Sequence, residues 1–204
     1  MGEGGAGAAR GARIGVMGGT FDPVHLGHLV AAAEAGRAFG LDEVVFVPAG
    51  EPWQKEARRL APAEDRYAMT VIATAADPLF SVSRVDIERA GPTYTVDTLA
   101  DLSRERGPEA EFFLIVGADT LSGLGTWKDP GRLLALARVI CCTRPDHPLR
   151  SVEADGDRIS VLEIPQLEIS STLCRDRVRA GLPVRYLVPD GVAQYIAKRG
   201  LYRE

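Results

Sequence analysis

Cysteine is scarce in this chain, and the three present cannot build a crosslinked framework: Cys141 and Cys142 are adjacent and Cys174 lies far off. Neither a disulfide scaffold nor zinc-ligand spacing is available, which points to a reduced, cytoplasmic protein. Basic excess is missing as well. Lys and Arg number 24 against 28 Asp and Glu, net charge −4, and no basic stripe offers a groove to nucleic acid. Residues 1–12 are too glycine-rich and too weakly apolar for a secretory signal or a membrane span, and they read as a disordered leader. There is no internal repeat, no Walker P-loop and no Gly-x-Gly-x-x-Gly turn, so the usual NTPase and dehydrogenase readings lapse.

What the chain does have begins at Arg13. Ile14 to Met17 is an apolar run with no polar face, as a parallel strand covered on both sides requires. Gly18-Gly19 then predicts a turn, and Asp22-Pro23 a helix N-cap and first helical residue, with the helix running from Leu26 to Phe39. Free amides and the positive end of a helix dipole would meet there, which suits phosphate. Two of the three histidines, His25 and His28, fall three residues apart at this helix start, with only Gly27 and Leu26 between them. That spacing lets both imidazoles reach one phosphate chain.

Glu43–Pro48 reads as a second buried strand, completing a βαβ unit. Further strands are expected at Phe80–Ser83, Glu111–Asp119, Arg138–Arg144 and Ile159–Ile164, and helices at Glu64–Ala76, from Thr95 as a cap, after Ser171, and at Pro189–Leu201. Residues 146–158 read as a surface loop. The alternation gives an α/β fold, a doubly wound Rossmann-like parallel sheet over 13–204 as one domain, with a small C-terminal helical part over 165–204. Ligands of such sheets bind at the carboxyl edge, where the glycine turn and the loop after Pro48 lie.

Three other segments carry chemistry. Ile169-Ser170-Ser171-Thr172 followed by Arg175 is either a good helix cap or a second anion site of hydroxyls, amides and a guanidinium. Gly117-Ala118-Asp119 ends a buried strand, where the carboxylate can accept from a ribose, organise Mg²⁺ and water, or equally cap the next segment. Trp127 is either core or a flat platform for a ring.

The stretch Gly18-Gly19-Thr20-Phe21-Asp22-Pro23-Val24-His25-Leu26-Gly27-His28 resembles the His-x-Gly-His signature of nucleotidyltransferases. Taken with the Ile-Ser-Ser-Thr-x-x-Arg element, Pro92–Leu99, Gly117–Asp119, Trp127, Arg144 and the tail from Tyr186 to Tyr202, the chain closely resembles the bacterial nicotinate-nucleotide adenylyltransferases over residues 13–202. The resemblance implies adenylyl transfer from ATP, with Mg²⁺ held mainly by phosphates, to nicotinate mononucleotide, giving deamido-NAD and pyrophosphate in NAD biosynthesis. It implies His25, His28 and Arg175 as catalytic residues. Gly18, Gly19, Thr20, Phe21, Gly117, Asp119, Ser171 and Thr172 would join them at ATP, and Lys55, Tyr94, Thr95, Asp119, Trp127 and Arg144 would face the mononucleotide. The pattern departs at Trp53-Gln54, where many members have Pro-His, and at Leu173-Cys174, where Asp-Ile is common and both side chains are expected to point inward. Competing expectations are nicotinamide mononucleotide as an acceptor, or a non-catalytic nucleotide sensor. Neither nucleic acid nor membrane is an expected partner, and a homo-oligomer is left open.

Overall fold

Apolar runs without a polar face become the middle of the sheet, and each is followed by a helix that covers it. The computed structural model describes residues 10–52, 60–143, 158–165 and 167–203. In chain order the elements are β1 (Arg13–Gly19), α1 (Leu26–Phe39), β2 (Glu43–Pro48), β3 (Glu51–Pro52), α2 (Ala63–Thr74), β4 (Phe80–Val82), α3 (Val85–Glu88) and β5 (Pro92–Thr93). Then come α4 (Thr95–Arg106), β6 (Glu111–Gly117), α5 (Ala118–Leu121), a 3₁₀ turn (Leu124–Thr126), α6 (Pro130–Leu136), β7 (Ala137–Thr143), β8 (Ile159–Glu163), α7 (Ser171–Arg179) and α8 (Asp190–Arg199).

Six strands form one sheet in the order β4-β2-β1-β6-β7-β8, and every pairing is parallel. The chain winds outward from β1 in one direction and from β6 in the other, so the order reverses between β1 and β6. Such a reversal opens a crevice at the carboxyl ends of the two strands, because the connections that follow them leave toward opposite faces. Two cores result. Met17, Phe46, Phe113 and Ile140 pack on one face with α1, α2 and the C-terminal helices, while Val16, Val45, Leu114 and Val139 pack on the other with α4 and α6. Adjacent Cys141 and Cys142 alternate between the two faces. Burial raises the thiols of Cys141, Cys142 and Cys174 to about 11, 12 and 11, which disfavours the reactive thiolate at each.

Several local expectations change. Gly18 and Gly19 belong to β1 and neither has positive φ; the reversal is made by Phe21 (φ 49°) and the cis Asp22-Pro23 bond. Helix α1 starts at Leu26 with His25 as its N-cap, so Asp22 and Pro23 are not the cap and first turn. Asp22 is instead a buried carboxylate that accepts from the Ala61 amide and the Tyr202 hydroxyl. Tyr94 rather than Thr95 is the N-cap of α4, and Asp119 lies in α5 after the strand has ended. Leu173 is exposed while Cys174 is fully buried, so only one of that pair points inward. Residues 10–12, expected as part of a disordered leader, are structured: Arg10 pairs with Asp42 at 2.8 Å, and the Glu111 N–H donates to the Ala12 carbonyl. Residues 1–9 of the leader, residues 146–157 of the loop expected over 146–158, Trp53, Gln54, Lys55 and Arg144 lie outside the described residues.

The C-terminal helices attach to α2 through the Tyr195 hydroxyl and the Arg199 guanidinium, both on Asp65, at 2.8 and 3.0 Å. From the same helix α2 comes Arg66, 2% exposed, whose guanidinium donates to the carbonyls of Ala61 (3.0 Å), Thr20 (2.8 Å), Ala49 (2.6 Å) and Gly50 (3.0 Å). Burial lowers its pKa, and the nearby Asp22 carboxylate opposes that shift. Removing a buried cation strands its acceptors and its counter-charge, a loss of roughly 3–5 kcal/mol. Arg66→Met should therefore lower the unfolding free energy by about that amount in urea titration; a loss below about 1 kcal/mol, the net worth of a single exposed pair, would show that the network is not structural.

Candidate active site

A cavity of about 640 Å³ occupies the crevice between β1 and β6. Its floor is the end of β1, Val16 to Thr20, and of β6, Leu114 to Gly117. His25, Gly27 and His28 wall one end with Ile169, Ser170 and Ser171, and Thr93 to Val96 with Trp127 and Lys128 wall the other. Segments more than a hundred residues apart in sequence thus meet at one edge of the sheet.

The two histidines are held together from the backbone up. His25 is extended (φ −141°, ψ 169°) at the helix cap, and its N–H donates to Nδ1 of His28 at 3.2 Å. With Nδ1 accepting, the proton of a neutral His28 sits on Nε2. The rings stack at 3.7 Å between centroids and 25° between planes. The Phe21 ring meets His28 edge-on at 5.1 Å and 84°. Phe21 itself is 2% exposed, is not among the residues that line the cavity, and packs its ring against His28.

The glycines matter for space. A Cβ on Gly18 would meet no protein atom within 4 Å and would project into open cavity, whereas one on Gly19 would meet the Phe21 ring at 3.0 Å. A Cβ on Gly27 would press the His25 ring at 3.1 Å. Close approach, not positive φ, is what Gly19 and Gly27 require.

The second helix start lies against the first. Ser170 caps α7 by accepting from the Leu173 N–H at 3.1 Å, and the Ser171 hydroxyl donates to the Pro23 carbonyl at 2.9 Å. The Ser171 hydroxyl proton is therefore committed to the histidine loop, which leaves its backbone amide for an anion. Thr172 and Arg175 lie outside the cavity wall. Arg175 donates to the Asp22 carbonyl at 2.8 Å and to the Thr172 hydroxyl at 3.2 Å. The amide of Leu26, first residue of α1, is taken by the Leu187 carbonyl at 2.9 Å, so that helix end is partly satisfied by protein.

At the opposite end, α4 opens on the cavity with Tyr94, Thr95 and Val96. Its first backbone bonds run from Asp97 and Thr98 to the Tyr94 carbonyl, so the amides of Thr95 and Val96 precede them. Trp127 packs against the core cluster on the α4 side of the sheet and also lines the cavity. Lys128 ties this loop to α4, 2.8 Å from Asp97 and 4.7 Å from the Tyr94 ring centre. Asp119 and Gly117 line the wall between the two ends.

Two wall features carried no local signal. Asp86 is 2% exposed, and its Oδ1 accepts from the Thr98 hydroxyl (2.7 Å) and Arg89 (2.8 Å); burial raises its carboxyl above the ordinary value. Strands β3 and β5 pair in parallel, and Gly50 N–H donates to the Thr93 hydroxyl at 3.1 Å. A Cβ on Gly50 would stand 2.2 Å from the Asp86 carbonyl, so only glycine allows the loops to close. Among the described residues no group of three or more His, Cys, Asp or Glu could hold a metal ion, and no helix is long and apolar enough to cross a membrane.

A cytidylyltransferase-like family model matches residues 16–177. A relative from Saccharopolyspora erythraea bearing the name nicotinate-nucleotide adenylyltransferase is 61% identical over 191 residues, 94% of this chain and 90% of its own. One of the same name from Acidothermus cellulolyticus is 59% identical over 199 residues, 95% of this chain and 96% of its own. In fold, the chain is similar to the Plasmodium falciparum nicotinic acid mononucleotide adenylyltransferase solved with NaAD, with TM-score 0.78 and 20% identity over 94% of this chain and 97% of that one. With the His-x-Gly-His helix start and the Ser-Ser-Thr helix start meeting at one switch-point cavity, the chain belongs to the nicotinate-nucleotide adenylyltransferase family.

Proposed function

We propose that this chain transfers the adenylyl group of ATP to nicotinate mononucleotide, releasing pyrophosphate and forming deamido-NAD. The observation that carries the reading is the single cavity that joins a stacked histidine pair and a helix start at one end to an aromatic wall and a second helix start at the other. A triphosphate and a ring-bearing acceptor need those two ends, and the α-phosphorus must lie between them.

The acceptor is a phosphate monoester, already anionic near neutral pH, so the chemistry calls for positioning and charge stabilisation rather than a strong base. An acceptor phosphate oxygen forms a bond to the α-phosphorus as the bond from that atom to the bridging oxygen breaks, and pyrophosphate leaves with the electron pair. His25 and His28 are assigned to the phosphates, with Gly18, Gly19 and Thr20 giving the nucleotide close passage along the end of β1. The amides at the start of α7, the Thr172 hydroxyl and Arg175 are assigned to the departing pyrophosphate. Trp127 stacks on the pyridine ring, the Thr95 and Val96 amides receive its carboxylate, and Asp119 and Gly117 take ribose hydroxyls. Tyr94 shapes the acceptor end, with Lys55 and Arg144 assigned to the acceptor phosphate on the family pattern. Mg²⁺ would arrive with ATP, held mainly by its phosphates as the family pattern implies, and would supply charge neutralisation there.

Pyrophosphate release from MgATP with nicotinate mononucleotide, nicotinamide mononucleotide or phosphopantetheine tests the reading. Strong preference for the nicotinate acceptor is expected; equal rates with both pyridine nucleotides would withdraw the carboxylate assignment, and no release despite ATP binding would favour a sensor. His28→Ala should lower kcat by about 10²–10³, the usual cost of one preorganised donor, and near-normal turnover would remove His28 from the reaction. Gly18→Ala should leave the melting temperature in place, because no protein atom stands within 4 Å of the added Cβ. ATP affinity of that variant should nevertheless fall, and calorimetric titration showing unchanged affinity would move the nucleotide away from β1.

A further inference from the structure

Asp22 is 1% exposed, and its carboxylate is anchored unevenly. Oδ1 accepts from the Tyr202 hydroxyl at 2.7 Å and from the Ala61 N–H at 3.1 Å. Oδ2 has no hydrogen-bond partner among the described residues and stands 3.7 Å from Nη1 of Arg175. Arg175 meanwhile donates to two neutral oxygens, the Asp22 carbonyl and the Thr172 hydroxyl. Those two bonds hold the guanidinium in place and leave the rest of its five N–H groups for an anion. A dry carboxylate this close gains a charge-assisted, two-pronged pair by turning toward the guanidinium. What prevents the turn is the pair of donors on Oδ1.

We propose that Tyr202 is a positioning residue for Arg175: by fixing Oδ1 of Asp22 it keeps the carboxylate from capturing the guanidinium, which stays available to the pyrophosphate end of ATP. The inference rests on the assignment of Arg175 to that end. The phenol is well suited to the task. It reaches Asp22 across 180 residues of sequence from the end of the chain, with its backbone in the left-handed region at φ 63°, where a bulky residue is found only when its surroundings hold it. Burial and the Asp22 charge raise it far above the ordinary phenol range, so it remains a donor at every working pH. Ala61, the second donor, is fixed in turn by Arg66, which binds its carbonyl. The carboxylate is thus held from two independent elements.

Tyr202→Phe deletes one hydroxyl and keeps the ring. KM for ATP should rise about three- to tenfold, the worth of one hydrogen bond, with kcat and acceptor KM staying within about twofold. In an Arg175→Ala background, where turnover is replaced by calorimetric ATP binding, Tyr202→Phe should have no further effect. Unchanged ATP affinity in Tyr202→Phe, a parallel fall in acceptor affinity, or an effect that persists without Arg175 would each overturn the positioning role. Normal ATP affinity in Arg175→Ala alone would show that the assignment of Arg175 is at fault, and the inference would fall with it.

Discussion

The Arg66 guanidinium is the constraint on which the site depends. Four carbonyls from three separate loops point at it: Thr20 after β1, Ala49 and Gly50 after β2, and Ala61 before α2. Loop carbonyls that converge in a dry place repel one another and lack water, so without a cation the arrangement is unfavourable. Arginine suits the position because its planar fork reaches several acceptors and keeps its charge when desolvated. The Asp22 carboxylate, facing the same interior, supplies the compensating charge that makes burial tolerable. From Thr20 the constraint passes along the chain: with that carbonyl fixed, Phe21 adopts positive φ, and its ring rests on the edge of His28.

The opposite side of the histidine loop is fixed by the C-terminal helices. The Ser171 hydroxyl holds the Pro23 carbonyl, Arg175 holds that of Asp22, and the Leu187 carbonyl takes the first amide of α1. The loop from Thr20 to Leu26 is therefore clamped between α2 and the C-terminal helical part. Both groups assigned to the triphosphate, the histidines and the start of α7, belong to this one braced unit. Donors held before the ligand arrives need no reorganisation when charge develops, and that is the property electrostatic catalysis requires.

Most strand positions were legible because they are written in apolar runs: Ile14–Met17, Glu43–Pro48 and Glu111–Asp119 end within a residue or two of the observed strands. The pairing of His25 with His28 was legible for a related reason, since a spacing of three on a helix is a local rule. Failures came where long-range contacts outrank local propensity. Asp22-Pro23 carries a strong cap signature, yet Asp22 bonds Ala61 and Tyr202 instead, and the cap moves to His25. Gly18-Gly19 suggested a turn, while the structure uses those glycines for space beside Phe21 and the cavity. Arg66 and Asp86 had no signature, because partners that define their roles, Thr20 for Arg66 and Thr98 for Asp86, lie 46 and 12 residues away in sequence. A charged residue on the buried face of a helix, such as Arg66 beside Met69 and Thr70, is the one clue available, and it needs the face to be known first.

The two ends of the cavity are built from materials of different strength, and this bears on how one fold selects its acceptor. The nucleotide end rests on fully buried groups, Asp22, Arg66 and Phe21, whose rearrangement would desolvate charge or open the core. At the acceptor end, the Trp127 loop is tied to α4 by Lys128 and Asp97, whose side chains are 50% and 29% exposed. A pair that exposed contributes about 0–1 kcal/mol and is weakened by salt. The ring of Tyr94 beneath the ammonium adds about 0.5–1 kcal/mol in such a setting. Steps common to every adenylyl transfer are thus assigned to the rigid half, and recognition of the particular ring to a half whose ties are worth about a kilocalorie each. Substitutions in residues 123–128 should act first on the acceptor end, because the bonds that hold this loop run within it and to Asp97 of α4.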